Sequence, residues 1–109
     1  MNLAIKEDGN HLTLSGLLTI EHGHKLREVL SGIIAHSNQV FVSLAEVEDV
    51  DIASLQILYA ARTDALRAKK EFIWTEISAA CGDNAALAGM SRFLGFPEPT
   101  EFSLPESRR

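Results

Sequence analysis

The residues best suited to chemistry cluster between positions 46 and 54: Glu46, Glu48, Asp49 and Asp51, followed by Ile52, Ala53 and Ser54. Asp51 stands directly before an amphipathic run and reads as a helix N-cap, its carboxylate accepting from a first-turn N–H. The start of such a helix presents free N–H groups at the positive end of the helix dipole. That is a place for a hydroxyl that accepts phosphate or for an acidic group of a partner. Ile52 occupies that position and carries no hydroxyl. The four carboxylates could instead share a hard cation, which needs several oxygens at one point. Adjacent loop residues converge only through special turns, and no glycine supplies one here. A solvated acidic turn with one capping aspartate is therefore expected, with no metal and no cofactor.

Other reactive residues are sparse. His22-Gly23-His24 could be a ligand pair, but no third ligand lies nearby in sequence, so both histidines are expected exposed in the first turn of a helix. His11 and His36 read as surface residues. The single cysteine, Cys81, excludes an internal disulfide and a cysteine-rich zinc site. A small buried residue is the simpler reading of it, a reactive thiol the other. No GxSxG elbow, GxxxxGK[ST] loop or HExxH pair is present, and no catalytic residue is assigned.

The elements that position the cluster follow from periodicity. Leu3-Ala4-Ile5-Lys6-Glu7 and His11-Leu12-Thr13-Leu14-Ser15 alternate with period two around the turn residues Asp8-Gly9-Asn10, which predicts a β-hairpin. Leu26, Val29, Leu30, Ile33 and Ile34 then fall at helical intervals, with Thr19 as a candidate N-cap and His36-Ser37-Asn38 as the stop. The run from Gln39 to Leu44 predicts a central strand. From Asp51 to about Lys69 the pattern is helical, with Leu55, Leu58, Ala61, Ala65 and Leu66 inward. Arg67, Lys69 and Lys70 suit its negative end. The segment Glu71–Ile77 alternates as a strand, with Trp74 as a packing residue. Asp83 or Asn84 can cap a last helix through Leu87, Met90, Phe93 and Leu94, ended by Gly95 and Pro97. This order predicts a mixed four-stranded sheet: an antiparallel first hairpin, then β-α-β-α-β crossovers, packed by about three to four helices.

The chain has 109 residues, enough for one domain, expected over 1–98 with a polar tail over 99–109. Its residues are 46% hydrophobic and only 6% aromatic, an aliphatic globular composition. Asp and Glu number 15 against 10 Lys and Arg, and the net charge of -5 disfavours nucleic-acid binding, which needs clustered positive charge. No apolar run approaches the roughly 20 residues that span a bilayer. The first eight residues already include Lys6, Glu7 and Asp8, unlike a signal peptide, so a cytoplasmic protein is expected.

Taken in order, Leu14-Ser15-Gly16, Val40-Phe41-Val42-Ser43-Leu44, Val47-Glu48-Asp49-Val50-Asp51, Ile52-Ala53-Ser54-Leu55 and Phe93-Leu94-Gly95-Phe96 resemble the STAS family over roughly residues 3 to 96. This is the domain of anti-sigma factor antagonists, also found at the ends of sulfate transporters, and the chain looks most like the stand-alone bacterial members. The family signature has an aspartate, then serine or threonine, a small residue, glycine and leucine. Asp51, Ala53 and Leu55 match it. The phosphorylatable hydroxyl falls at Ile52, the glycine at Ser54, and a further family aspartate at Ser43.

The resemblance implies a non-enzymatic, partner-switching module that docks the start of its second helix on an anti-sigma factor with a kinase-like ATP-binding fold, or on a histidine-kinase-type regulator, and so releases that partner's other client. Some small STAS proteins similar to this chain instead bind the ATPase of a bacterial lipid transporter. A phosphoryl group would bring about -1.5 to -2 charge to this contact. Ile52 makes the spot permanently apolar, and Ser54 is left as the possible substitute phosphoacceptor. With Leu55, Leu58, Ala61 and Ala65 inward, Ile52, Gln56, Tyr59 and Thr63 fall on the other side of the helix. The expected partner-binding residues are Asp49, Asp51, Ile52, Ser54, Gln56 and Tyr59, with the acidic turn as a charged rim.

Overall fold

The computed structural model describes residues 3–96. Strand β1 (Leu3–Asp8) turns back through Gly9, whose φ of 63° is one that residues with a Cβ rarely adopt, into β2 (His11–Leu18). A 3-10 turn (Ile20–His22) leads into α1 (Gly23–Ala35). Then follow β3 (Gln39–Val50), α2 (Ile52–Arg67), β4 (Glu71–Ile77), α3 (Ala79–Leu87) and α4 (Ser91–Leu94). The sheet order is β1-β2-β3-β4, with β1 and β2 antiparallel and the other two pairings parallel. The mixed four-stranded sheet with an antiparallel opening hairpin is thus the fold that the periodicity predicts.

One face of this sheet is closed. Leu12, Leu14, Gly16 and Leu18 of β2 and Val40, Val42 and Leu44 of β3 are buried, while the residues between them stay partly open. Leu26, Leu30 and Ile33 of α1 and Leu55, Leu58, Ala61 and Ala65 of α2 complete the core. Burying a side chain of this size is worth about 1.5–3 kcal/mol, so alternation along the strands and the helical stripes together fix which face each element turns inward. Cys81 is fully buried, and burial pushes its thiol pKa up to about 12, which fits a packing role.

Several expectations need correction. The stretch read as an acidic turn is the second half of β3, where Val47 and Val50 are buried and Glu48 and Asp49 exposed. Register shifts against β2 between Thr13 and Ser15 and between Gly16 and Leu17 absorb the irregular spacing, and Gly16 supplies a φ of 91° there. Thr19 precedes only the 3-10 turn and makes no side-chain cap. The α-helix begins later, at Gly23, where an added Cβ would stand 3.1 Å from Ile57 Cδ1, so a larger residue would need Ile57 to give by a few tenths of an ångström. Leu66 is 47% exposed rather than inward.

The last helical region is two helices, and neither Asp83 nor Asn84 caps it. Ser78 does: its Oγ accepts from the Cys81 N–H at 3.1 Å and donates to the Val47 carbonyl at 2.7 Å. Gly89 (φ 73°) separates α3 from α4, and Gly95 (φ 76°) ends α4 as expected. Lys70 serves the end of α1 rather than that of α2, donating from Nζ to the Ile34 carbonyl. Pro97 and the tail over 99–109 lie outside the described residues.

Since Ser78 both caps α3 and ties it to β3, Ser78→Ala is expected to lower the unfolding free energy by about 1–2 kcal/mol. Urea unfolding checks this: the midpoint should fall while the slope with denaturant stays constant. An unchanged midpoint would show that the two hydrogen bonds contribute nothing net.

Candidate functional site

Three segments meet at Asp51. Its backbone is extended (φ -95°, ψ 169°), as an N-cap requires, and Oδ1 accepts from the Ser54 N–H at 2.8 Å. Oδ2 accepts from the Ile20 N–H, also at 2.8 Å, which fixes the 3-10 turn against the start of α2. The Asp51 N–H donates to the Leu18 carbonyl at 3.0 Å and so holds the end of β3 to the end of β2. Partial burial acts to raise the pKa of this carboxyl. The hydrogen bonds from Ser54 and Ile20 outweigh it, leaving the group below its ordinary value of 3.8.

Around this bracket the surface is apolar. Ile52 is 57% exposed and Ile20, carried in by the Asp51 bond, is also 57% exposed. Gln56 is exposed and Tyr59 is 39% exposed, so Ile52, Gln56 and Tyr59 form one outward stripe of α2 as helical spacing predicts. Beyond Tyr59 the stripe continues onto α4. The Phe93 ring meets the Tyr59 ring edge to face, 6.1 Å between centroids and 83° between planes, and Phe93 is 60% exposed. Arg62 Nη1 holds α4 in place by donating to the Phe93 carbonyl at 3.3 Å.

Not every expected residue joins this surface. Ser54 is fully buried and its hydroxyl has no hydrogen-bond partner, which corrects its reading as a substitute phosphoacceptor: a kinase cannot reach it in this fold. Burial follows from its place beside Leu55, Ile57 and Leu58 on the inward side of α2. Asp49 is exposed but engaged toward α3, its Oδ1 accepting from Asn84 Nδ2 at 3.2 Å and from the Val50 N–H at 2.9 Å. Among the described residues, no three His, Cys, Asp or Glu side chains converge on a common point.

The histidines differ from expectation in part. His24 is exposed and lies 3.4 Å from Glu28, one helical turn on, whereas His22 is half-buried, its inaccessible Nε2 without a hydrogen-bond partner but 4.0 Å from a Glu21 carboxylate oxygen. His11 is exposed and stacks on Phe41. Trp74 packs as expected, with its Nε1–H donated to the Leu94 carbonyl at 2.7 Å and its ring against Phe72 and Phe96. A cavity of about 690 Å³ lies between β4, α3 and α4, walled by Trp74, Ile77 and Phe96, with Asp51 and Ile52 not among its lining. Sequence reasoning missed Ile20 and Phe93 as surface residues. Ile20 offered only one hint, an isoleucine outside the apolar stripe of α1.

Because the folded carboxyl of Asp51 has the lower pKa, the unfolded chain binds its proton first as pH falls. The stability Asp51 contributes is therefore complete above the ordinary value of 3.8 and is lost as pH drops through the folded value. Asp51→Ala is expected to cost about 1–2 kcal/mol at neutral pH. The gap in unfolding free energy between wild type and Asp51→Asn should narrow in acid, and a gap that does not change with pH would contradict the assignment.

Residues 1–95 match the family described as Mlab, STAS domain. No curated protein matches the chain. Among solved structures, an anti-sigma factor antagonist from Mycobacterium paratuberculosis is similar at a TM-score of 0.69 and 17% identity, covering 92% of this chain and 88% of that one. A protein of Thermotoga maritima described as a candidate anti-sigma factor antagonist is similar at 0.68 and 18%, covering 98% and 95%. The Bacillus cell fate determinant SpoIIAA in its phosphorylated form is similar at 0.62 and 10%, covering 92% and 95%. At these identities the solved structures speak for the fold alone, and it is the fold described above. With its four-stranded mixed sheet, its aspartate-capped second helix and a family match over nearly the whole chain, this protein belongs to the STAS domain family.

Proposed function

We propose that the chain is a regulatory protein-binding module of the anti-sigma factor antagonist type, which docks the start of α2 on a protein partner. The observation that carries this reading is the 57% exposure of Ile52 beside a rigid cap. A large apolar side chain held in water at a fixed place gains by being covered, at about 25 cal/mol per Å². Ile20, Gln56 and Tyr59 extend the contact, and the exposed Glu48 and Asp49 lie before it in the chain as an acidic rim that favours a basic partner surface. The partner is an anti-sigma factor with a kinase-like ATP-binding fold, or a histidine-kinase-type regulator. Occupying that partner releases its other client. The chain acts by binding and not by catalysis, in the bacterial cytoplasm.

The contact has no phosphorylation switch at the helix start. Ile52 accepts no phosphate and the Ser54 hydroxyl is buried. Regulation then falls on the partner, or the contact is permanent. This same feature favours a second reading, an accessory subunit of a bacterial transport ATPase, where a permanent contact is what is required. No described helix is long and apolar enough to cross a membrane, so in that role the chain would meet the ATPase rather than the bilayer.

Ile52→Glu puts a charge at the centre of the surface without touching the core. Wild type and variant used as paired baits in the native host, followed by mass spectrometry, should show a partner retained by wild type and lost, by tenfold or more, by the variant. Thermal unfolding of the two should coincide. A kinase-like regulator among the lost proteins supports the first reading and a transport ATPase the second. A partner retained equally by both baits would move the interface elsewhere.

A further inference from the structure

The face of the sheet turned away from α1 and α2 carries a charge pattern that the docking surface does not explain. Register places Lys6 opposite Thr13, Thr13 opposite Ser43, and Ser43 opposite Glu76, a continuous row across all four strands. The row runs from a cation on one edge strand, through two short hydroxyl side chains, to an anion on the other. All four residues line one shallow depression, Lys6 and Glu76 being exposed and Thr13 and Ser43 half-buried. A second row, Asp8, His11, Phe41 and Ile73, runs beside it, with the His11 and Phe41 rings stacked at 4.7 Å.

We propose that this face is where a second copy of the chain docks, sheet against sheet, about a two-fold axis parallel to the strands and lying between β2 and β3. That operation reverses each row left to right. Lys6 then stands over Glu76 of the second copy and Glu76 over its Lys6, two opposite-charge pairs generated by one row. In the middle, Thr13 stands over Ser43, and side chains this short let the sheets approach to about the 10 Å of packed β-layers. In the neighbouring row the His11–Phe41 stack meets its own counterpart and Asp8 stands over Ile73 at the two rims, while Glu46, on the border of the same depression, falls over Ser15. An isologous contact has to be self-complementary, and a row with opposite charges at its two ends and small groups at its centre meets that condition.

The area limits the strength. Four strands at about 4.8 Å spacing make a face that buries on the order of 1,000 Å² counted over both copies, the lower end for a specific interface. The dimer is therefore weak and concentration-dependent. The outer stripe of α2 is on the far side of each sheet, so the assembly displays two Ile52 surfaces pointing in opposite directions and can engage two partner molecules at once.

Sedimentation velocity on the full chain, from micromolar to about 1 mM, tests this. Wild type should shift from monomer to dimer across that range. Lys6→Glu or Glu76→Lys alone should weaken association by on the order of tenfold or more, since each sets like charges face to face twice. The double variant carrying both substitutions should restore it. Raising salt from about 50 to about 500 mM should weaken the wild-type dimer with no substitution at all. Ile52→Glu should dimerise like wild type, which separates this contact from the proposed docking surface. A chain that stays monomeric at the highest concentration, or a dimer insensitive to both charge reversals and to salt, would overturn the proposal. So would a dimer lost on Ile52→Glu.

Discussion

The bridging carboxylate of Asp51 is the constraint on which the candidate surface depends. One oxygen caps α2 and the other holds the 3-10 turn, while the backbone N–H of the same residue pairs with β2. Charge-assisted bonds to backbone N–H groups are among the stronger hydrogen bonds in proteins, and two of them leave the aspartate little freedom. Ile20 and Ile52 come from segments 32 positions apart in the chain yet flank this single side chain as a result. Their exposure reflects a held geometry. Moving the 3-10 turn away from the start of α2 would break the Ile20 N–H bond to Asp51.

The core enforces the same geometry from beneath. Gly23 lets α1 lie against Ile57 of α2, and Leu55 and Leu58 anchor α2 to the sheet on its other side. Ser54 is the exception in this interior. Its hydroxyl is fully enclosed beside Leu55, Ile57 and Leu58.

Much of this was legible in the residues. Strand β4 runs from Glu71 to Ile77 as the alternation predicts, and the outward stripe of α2 follows from the inward one by helical geometry alone. The second half of β3 was hidden because Glu48-Asp49 breaks the period of two, and only the bulged pairing with β2 makes the spacing regular again. The alanine-rich stretch after Ser78 gives weak hydrophobic contrast, so its start and its break at Gly89 left little trace in the pattern. At the site, Asp51 and Ile52 could be read because capping is local. Ile20 and Phe93 could not, since each reaches the surface patch through a contact between distant segments. The polarity of Ser54 pointed to solvent, while its position in the helical turn pointed to the core, and packing decided.

Gly95 ties the end of α4 to this architecture. Its φ is 76°, and a Cβ there would stand 2.7 Å from the guanidinium carbon of Arg62. The same guanidinium grips the Phe93 carbonyl and thereby sets the aromatic ring beside Tyr59. Positions 62 and 95 are therefore coupled: a side chain at 95 would have to push the flexible end of Arg62 aside and so release its grip on the Phe93 carbonyl, and the positive φ would strain that residue in any case. The turn that ends α4 thus also decides whether the aromatic neighbour of Tyr59 is held or loose.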